Sequence, residues 1–262
     1  MLIKESGSPN AVIVLVHGAF EHAGRYDWLS AQLSERGYHV VYGDLPGQGQ
    51  SEGKKGVIQA FDQYIEVVSQ WIDQAMMYHL PVFLIGHSMG GLTAIRLLQE
   101  KNPPIQGVIL SSPALGISNR PGKPLYYLSK LLNILTPSML LNSNIQSEMA
   151  TRNKAFYTRD SSDPLYLKKV SVRWYHEFEK AISIAFNKVG QYPDIPTLIL
   201  QAGEDLLVPV VNVENWFNQL KIGDQELKIW QGLYHEVFNE PERKEVLDYA
   251  LAFIERRLNE LK

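Results

Sequence analysis

The chain has 262 residues, of which 45% are hydrophobic and 20% charged, and its formal net charge is −3. These proportions are typical of a globular protein with a sizeable core, and the length suits one large α/β domain or two small ones. The absence of cysteine excludes disulfides, thiolate metal ligands and a cysteine nucleophile, and gives no support to secretion.

The N-terminal residues and the apolar runs predict neither a signal peptide nor a membrane-spanning helix. The N-terminal residues lack the basic start, long apolar stretch and cleavage site of a signal peptide. No run reaches the roughly 20 apolar residues that a membrane-spanning helix needs. We therefore expect a cytoplasmic location.

Six apolar, β-branched runs are predicted to be buried strands, at residues 11–18, 38–44, 81–86, 107–112, 196–203 and 226–232. Helical spacing lies between most of them, at residues 25–36, 59–78, 89–101, 210–220 and 241–261. Strands and helices that alternate, with strands apolar on both faces, predict an α/β fold. Its sheet is mostly parallel, with helices on both faces.

One interval breaks this alternation. Residues 113–190 contain no convincing strand, while residues 125–135 and 170–186 have helical spacing. An all-helical insertion between two sheet strands is a candidate cap above the strands' C-terminal ends, where open α/β sheets bind ligands; helical packing without such a role is the alternative. We predict a core domain of residues 1–112 and 191–262 and a helical cap of residues 113–190.

The segment GHSMG, residues 86–90, has the pattern G-x-S-x-G between a predicted strand and a predicted helix. A sharp turn there leaves no room for side chains at Gly86 and Gly90 and exposes the Ser88 hydroxyl. The Met89 N–H and the helix start face the same space and could stabilise an oxyanion. Helix capping by Ser88 and phosphate binding are alternatives, but the P-loop lysine and the dinucleotide fingerprint are missing. The pattern favours Ser88 as a nucleophile.

A serine nucleophile needs a base and an acid that orients the base. Of the seven histidines, only His176 and His235 follow Ser88, and His176 lies in the predicted cap. His235 follows the last predicted strand. Glu204 and Asp205 follow the preceding strand, and Asp205 is preferred because G-x-D-x-x-V-P is the usual setting of this acid. A surface-loop histidine and a solvated carboxylate are the alternatives, but the order serine, acid, histidine is that of α/β-hydrolases.

The loop after the first predicted strand, residues 17–26, is expected to supply the second oxyanion donor. Gly18 lets the backbone approach the site, and the Ala19 N–H is the candidate donor, with Phe20 as the alternate. His17 is expected to pack and hydrogen-bond beneath the loop.

These segments resemble the α/β-hydrolase superfamily, and within it the monoacylglycerol lipase and lysophospholipase family, especially bacterial lysophospholipase-type proteins. The resemblance covers nearly the whole chain and rests on HGAFEHAGRYDWL, GDLPGQGQSEG, GHSMGGLTA, QAGEDLLVP and GLYHEVFNEPER. The serine motif alone marks only the superfamily, whereas the first and last segments are more specific. One or two leading strands of larger relatives are expected to be missing or reduced, because the first buried strand comes so early.

The resemblance implies a catalytic triad of Ser88, Asp205 and His235, with the N–H groups of Ala19 and Met89 as oxyanion donors. It implies an α/β-hydrolase fold with a helical cap.

The resemblance also suggests substrate-binding residues in the first loop. Phe20, Glu21 and Arg25 are the candidates, with Glu21 and Arg25 near the glycerol end of the substrate. These two residues are four apart, so an ion pair that braces the loop is the structural alternative.

The predicted function is a serine carboxylester hydrolase that acts on monoacyl lipids through an acyl-enzyme, with no cofactor, no metal and no nucleic-acid partner. Peptidase or acyltransferase chemistry on the same triad, and a catalytically silent binding module, are the alternatives. His235-Glu236 does not continue as H-E-x-x-H, so a zinc protease is not predicted. The head group, the acyl-chain length and the oligomeric state stay open.

The predicted cap has an unusual composition. Residues 124–141 are too apolar for an ordinary exposed helix, which favours a lid that lines an acyl-chain tunnel and touches lipid; packing onto the domain below is the alternative. Residues 113–190 contain 11 basic and 5 acidic residues, a net charge of +6, so the remainder carries −9. This asymmetry suggests peripheral contact with the inner, anionic face of a membrane, with a solvated mixed surface as the alternative.

Overall fold

The computed structural model describes residues 1–143 and 145–261. Residues 144 and 262, which fall within the predicted cap and core ranges, lie outside the described residues. The strands in chain order are β1 (Leu2–Lys4), β2 (Ala11–Val16), β3 (Tyr38–Tyr42), β4 (Val82–His87), β5 (Gly107–Ser111), β6 (Leu140–Asn142), β7 (Lys169–Ser171), β8 (Thr197–Ala202) and β9 (Gln225–Trp230). The α-helices are α1 (Asp27–Glu35), α2 (Asp62–Met76), α3 (Met89–Lys101), α4 (Lys123–Leu135), α5 (Lys154–Ser162), α6 (Val172–Asn187), α7 (Val210–Phe217) and α8 (Arg243–Glu260).

Seven strands form the central sheet in the order β1-β3-β2-β4-β5-β8-β9. All neighbours pair in parallel except β1, which runs antiparallel to β3. Every residue of β2, β3, β4, β5 and β8 is buried, as expected for strands that are apolar on both faces and covered by helices. The prediction of a mostly parallel sheet with helices on both faces is confirmed.

The alternating side chains of the strands divide the core into two layers. Helices α1 and α8 pack on one face of the sheet, against Ile13, Leu15, Phe83 and Leu200. Helices α2, α3 and α7 pack on the other face, where Val14, Leu84 and Leu110 point. Helices therefore cover both faces of the sheet, and only the ends of the strands can form a site.

The strand order reverses at β2. The chain passes from β2 to β3 on one side and then returns to β4 on the other side of β2. Val16 near the end of β2 is in register with Gly86 near the end of β4. The loops that follow these two strands therefore leave the same edge side by side, at the kind of switch point where open α/β sheets bind ligands.

The segment between β5 and β8 contains α4, β6, α5, β7 and α6. The prediction that residues 113–190 contain no strand is wrong, because β6 and β7 pair as a two-stranded antiparallel sheet. Each of these strands has three residues, too few to show the period-2 pattern on which sequence analysis depends. Helix α6 packs against α3 and α4 and so joins this segment to the core. The division into core and cap domains stays a prediction.

The sequence pattern did not locate two short elements near the N-terminus. Strand β1 has three residues, and Leu2 and Ile3 are exposed, so it has no buried pattern that reveals it. The predicted helix 25–36 is a one-turn 3₁₀ helix, Ala23–Tyr26, followed by α1. The tight turn directs the loop after β2 back across the strand ends.

Candidate active site

Ser88 occupies the sharp turn between β4 and α3. Its backbone has φ 51° and ψ −114°, a conformation that a non-glycine residue rarely adopts. Three hydrogen bonds hold this turn: the Ser88 N–H donates to the Ser111 carbonyl, and the Ser88 carbonyl accepts from Leu92 and Ala114. The strain is thus maintained by the neighbouring strand and helix.

The two glycines of the motif allow this turn to form. A Cβ at Gly86 would lie 2.5 Å from the Gly90 carbonyl oxygen. A Cβ at Gly90 would clash with the carbonyl oxygens of Val16 and His17. Both contacts are with backbone, which cannot move aside, so only glycine fits at either position.

Asp205 and His235 come from the loops after β8 and β9. His235 Nδ1 lies 2.8 Å from Asp205 Oδ2, and both side chains are buried. The N–H groups of Leu207 and Val208 each donate to Asp205 Oδ1 over 2.9 Å. Because Nδ1 faces the carboxylate, the imidazole leaves Nε2 to exchange a proton with another group.

The charges of this pair stabilise each other. Burial disfavours the ionised carboxylate, but His235 and the hydrogen bonds outweigh it, and the pKa of Asp205 lies below its ordinary value. Burial also disfavours the imidazolium. The negative charge of Asp205 and its hydrogen bond prevail, so the pKa of His235 lies above 6.5. A proton that reaches His235 is therefore held more firmly than by a free imidazole.

The loop after β2, residues 17–26, is called here the first loop, and it lies against Ser88. A Cβ at Gly18 would lie 3.2 Å from the Ser88 Cβ, so the two backbones approach closely. Phe20 has φ 69°, and its carbonyl accepts a hydrogen bond of 2.7 Å from Leu167. Ala19, between them, lines the cavity beside Ser88.

Met89 is the first residue of α3 and is buried. As the first residue of a helix, it has an N–H without an intrahelical acceptor, at the positive end of the helix dipole.

Arg25 is buried, and its guanidinium contacts three carboxylates from different parts of the chain. Glu21 belongs to the first loop, Asp160 to α5, and Glu236 directly follows His235. The Arg25 Nη2 lies 2.9 Å from Glu236 Oε2. This cluster joins three segments on a single cation, and the structure does not bring Arg25 to the wall of the cavity.

Glu21 lines the cavity, but its oxygens are already engaged. It accepts hydrogen bonds from the Gly18 N–H, from Arg25 and from the Tyr26 hydroxyl, the last at 2.7 Å. Burial opposes ionisation of Glu21, but the charge of Arg25 prevails and lowers its pKa to about 2. The carboxylate therefore stays charged and holds the first loop in place.

Two histidines near the site have other environments. Burial lowers the pKa of His87 to about 4, so its ring is neutral, and its Nδ1 lies 3.1 Å from the Ser111 hydroxyl. His17 accepts a hydrogen bond of 2.9 Å from the Leu45 N–H and is buried below the first loop, in agreement with the sequence analysis.

A cavity of about 750 Å³ lies between the sheet edge and the segment 113–190, within the size range of small-molecule sites. Ser88, His235, Ala19, Phe20 and Glu21 all contribute to its wall. The rest of the wall is mainly apolar and includes Ile117, Leu132, Leu141, Ile145, Trp174 and Phe178. The described part of the chain thus gathers the predicted serine and histidine in one cavity, with Asp205 behind the histidine.

Sequence analysis missed Asp160 and Glu236 as partners of Arg25. Glu236 carries a weak signal, because it directly follows the predicted histidine. Asp160 carries none, since it lies 135 positions from Arg25 in the sequence.

Over the described ranges, no three His, Cys, Asp or Glu side chains are grouped so that they could hold a metal ion. Within the same ranges, no helix combines the length and apolar character needed to cross a bilayer.

The chain is similar to known proteins over most of its length. A family profile described as serine aminopeptidase, S33, matches residues 7–242. Phospholipase YtpA of Bacillus subtilis is 48% identical over 95% of this chain and 96% of its own. Human monoglyceride lipase is 33% identical over 90% of this chain and 79% of its own. The crystal structure of Paleococcus ferrophilus monoacylglycerol lipase matches with a TM-score of 0.87 and 30% identity, covering 98% of each chain.

Proposed function

This chain belongs to the α/β-hydrolase family described as serine aminopeptidase, S33, and we propose that it hydrolyses the ester bond of monoacyl lipids such as monoacylglycerols and lysophospholipids. The observation that carries the proposal is the mainly apolar cavity with Ser88 and His235 in its wall. The names of its relatives, a phospholipase and monoglyceride lipases, support an ester hydrolase with such a substrate. One acyl chain fits a cavity of this kind, while the ester lies at Ser88.

In the first half of the reaction, the Ser88 hydroxyl attacks the ester carbonyl carbon and His235 Nε2 takes its proton. Asp205 holds the imidazole in the tautomer that accepts at Nε2 and stabilises the imidazolium that forms. The N–H groups of Ala19 and Met89 donate to the oxyanion of the tetrahedral intermediate. The intermediate collapses to an acyl-enzyme as the imidazolium protonates the departing alcohol.

In the second half, a water molecule gives a proton to His235 Nε2 and attacks the acyl carbon. The second tetrahedral intermediate uses the same two donors. Ser88 leaves with the proton from His235, and the fatty acid is released. No group besides the chain's own residues and water enters this sequence.

The arginine cluster acts as a brace. Glu21 holds the Gly18 N–H, and Arg25 ties Glu21 to Glu236, next to His235. Its position supports a role in keeping the first loop and the histidine loop in register, and gives Arg25 no direct contact with the substrate. Phe20, in the cavity wall beside Trp174, contacts the acyl chain.

Replacement of Glu21 by glutamine is expected to lower kcat about 10- to 100-fold for glyceryl and aryl esters alike. All of the carboxylate's contacts are to the protein, so the loss does not depend on the alcohol. The free energy of unfolding is expected to fall by about 3–5 kcal/mol, because a buried ion pair is broken. Initial rates on a monoacylglycerol and a p-nitrophenyl ester, with thermal melts, measure both effects.

Glu240→Gln is the matched control, since Glu240 is buried and pairs with Arg152 away from the first loop. It is expected to lose stability with a smaller loss of rate. A loss in Glu21→Gln confined to glyceryl esters would contradict the bracing role and favour contact with the glycerol head.

The segment 113–190 serves as a cap over the core of residues 1–112 and 191–262, and its surface supports contact with anionic membrane. The outer face of α4 is formed by exposed apolar side chains: Tyr127, Leu128, Leu131, Ile134 and Leu135. The opposite side of α4 reaches the cavity through Leu132 and the buried Ser129. The same helix therefore borders both the outside and the acyl-chain cavity, in a segment of charge +6.

Binding to vesicles is expected to require anionic lipid and to weaken as salt rises, because each basic residue near the surface adds about 1 kcal/mol within a Debye length. Ile134→Glu, at a side chain 77% exposed, is expected to weaken binding about 10- to 100-fold, because it removes apolar burial. Cosedimentation across lipid compositions and salt concentrations measures this. Met77→Glu, at an apolar side chain 69% exposed outside the cap, is expected to bind as the wild type does. Binding that ignores lipid charge and salt would overturn the contact.

Peptidase activity, which the family description names, is the second candidate function. An aminopeptidase needs a free carboxylate for the peptide's ammonium group, whereas Glu21 and Glu236 in the cavity wall are paired with Arg25. This pairing favours ester hydrolysis over aminopeptidase activity.

A panel of substrates tests whether the protein hydrolyses esters or peptides. Fatty-acid release from a monoacylglycerol and a lysophospholipid is expected to exceed aminoacyl-anilide cleavage about 100-fold or more in kcat/KM. The reverse order would overturn the proposed function.

A further inference from the structure

Gln201 is a polar residue among the apolar side chains of the central sheet. It belongs to β8, in the run LILQA, and is completely buried. Its neighbours on either side, Leu200 and Ala202, are core residues. Burying an amide costs free energy unless its groups are hydrogen-bonded, so the contacts of Gln201 identify what it does there.

The amide of Gln201 faces two acceptors. Its Nε2 donates to Asp205 Oδ2 and to the Ala202 carbonyl, each over 3.0 Å. Because a carboxylate and a carbonyl can only accept, the amide can face them only with its NH₂ group. Among the described residues, no donor faces its Oε1, so every polar contact of this side chain goes through Nε2.

These contacts complete the surroundings of the acid. Asp205 Oδ1 accepts from the N–H groups of Leu207 and Val208, and Oδ2 accepts from Gln201 and His235. The Gln201 and His235 donors share one oxygen, so rotation of the carboxylate would break both bonds. Gln201 comes from β8, which pairs with a strand on each side and is therefore more rigid than the loop that carries Asp205.

We propose that Gln201 is a positioning residue for ester hydrolysis, which holds the Asp205 carboxylate in the plane that meets His235 Nδ1. The proposal rests on the proposed function, in which Asp205 orients the catalytic base. Gln201 does not touch the substrate, and it acts only through Asp205.

The side chain also adjusts how strongly Asp205 acts on His235. The partly positive NH₂ group of Gln201 lies beside Asp205 Oδ2 and reduces the negative potential that His235 experiences. Without it, the imidazolium is favoured more strongly, and the pKa of His235 rises further. The acid limb of kcat/KM then moves to higher pH, because the base form is lost earlier as the pH falls.

Gln201→Met removes the donor at similar volume and is expected to lower kcat about 10- to 100-fold, with KM changed less than about twofold. Its acid limb is expected at higher pH than in the wild type. Gln201→Glu keeps the shape but places a second carboxylate beside Asp205, so its limb is expected at still higher pH. Because it is isosteric, it also tests the proposal if Gln201→Met folds poorly.

The measurement is kcat/KM for a monoacyl ester from pH 5 to 9 in wild type, both variants and Thr197→Val. Thr197 is equally buried on β8 but bonds to Tyr192 and Ile195, away from the site, and its variant is expected to keep the wild-type limb. Folded Gln201 variants with the wild-type limb and kcat would overturn the positioning role. Asp205→Asn, assayed alongside, separates the two hypotheses. If the wild type releases no fatty acid from the monoacyl ester, the proposed function fails; if Asp205→Asn is fully active, the role of Asp205 on which the proposal rests fails. If it is inactive while the Gln201 variants match the wild type, only the role of Gln201 fails.

Discussion

Replacement of Ser88 by alanine is expected to lower kcat for monoacyl esters by about 10⁴- to 10⁶-fold. The hydroxyl is the only group in the proposed mechanism that bonds covalently to the acyl carbon, so the acyl-enzyme cannot form. His235→Ala is expected to cause a similar loss, because the hydroxyl attacks poorly without a base. The double variant is expected to be no worse than either single one, since the two residues act as a unit.

The assay is fatty-acid release under saturating monoacylglycerol, followed long enough to detect a 10⁶-fold loss. Circular dichroism and thermal melts check that each variant is folded. The Ser88 turn keeps its backbone hydrogen bonds to Ser111 and Ala114 in the alanine variant, so we expect no large change in melting temperature. Turnover near the wild-type rate in a folded Ser88→Ala protein would contradict the mechanism.

Asp205→Asn is expected to lower kcat/KM by about 10⁴-fold and to move its pH dependence. In the wild type, the pKa of His235 lies above its ordinary value, so kcat/KM falls as the pH drops through this raised pKa and the base becomes protonated. Asparagine removes the negative charge but not the burial, which favours the neutral ring. The pKa of His235 therefore falls, and the acid limb moves to lower pH in the variant.

A pH profile of kcat/KM for both proteins, with an aryl ester whose hydrolysis is easily measured at low rates, tests the shift. Glu204→Gln is the matched control, because Glu204 adjoins Asp205 but was only the alternative acid in the sequence analysis. It is expected to retain the wild-type limb and rate. If Glu204→Gln loses activity while Asp205→Asn does not, the acid has been assigned to the wrong residue.

Where local physics is strong, the sequence alone predicted the sheet and the edge of it at which the candidate site residues lie. Apolar runs identified the six long strands of the sheet, of which five are buried on both faces and β9, at the edge, is only partly buried. At Gly86 and Gly90 the prediction followed from sterics alone, and a Cβ at either position meets backbone. Because the strands are parallel, their C-terminal ends share one edge, which is why Ser88, Asp205 and His235 could be selected from their positions after strands.

The rest depends on contacts between residues far apart in the chain. Arg25 was expected near the substrate, but Asp160 and Glu236 hold it in the interior, and no local pattern predicts an ion pair across 135 positions. Gln201 gave no signal for a similar reason. One glutamine in an apolar run resembles a weak spot in a strand until its acceptor, Asp205, is seen beside it.

The arginine cluster raises a wider point about how such a site is built. Arg25 is surrounded by three carboxylates, so the buried cluster is rich in negative charge, and it is tied together by segments from the first loop, α5 and the histidine loop. A buried ion pair contributes little net stability, whereas removing one partner is costly. The cluster therefore serves geometry more than stability, since it fixes the first loop and α5 against Glu236, the residue that follows His235.

Labelling with a long-chain alkyl fluorophosphonate, with fatty-acid release followed on the same samples, tests the central claim most directly. The probe bonds to an activated serine, and its alkyl chain mimics the acyl chain of the substrate. The account predicts one label per chain, located on Ser88 by peptide mass spectrometry, slowed by monoacylglycerol and absent in Ser88→Ala, with activity falling in proportion to labelling. A label on another residue, or fatty-acid release that persists once Ser88 is fully labelled, would contradict it.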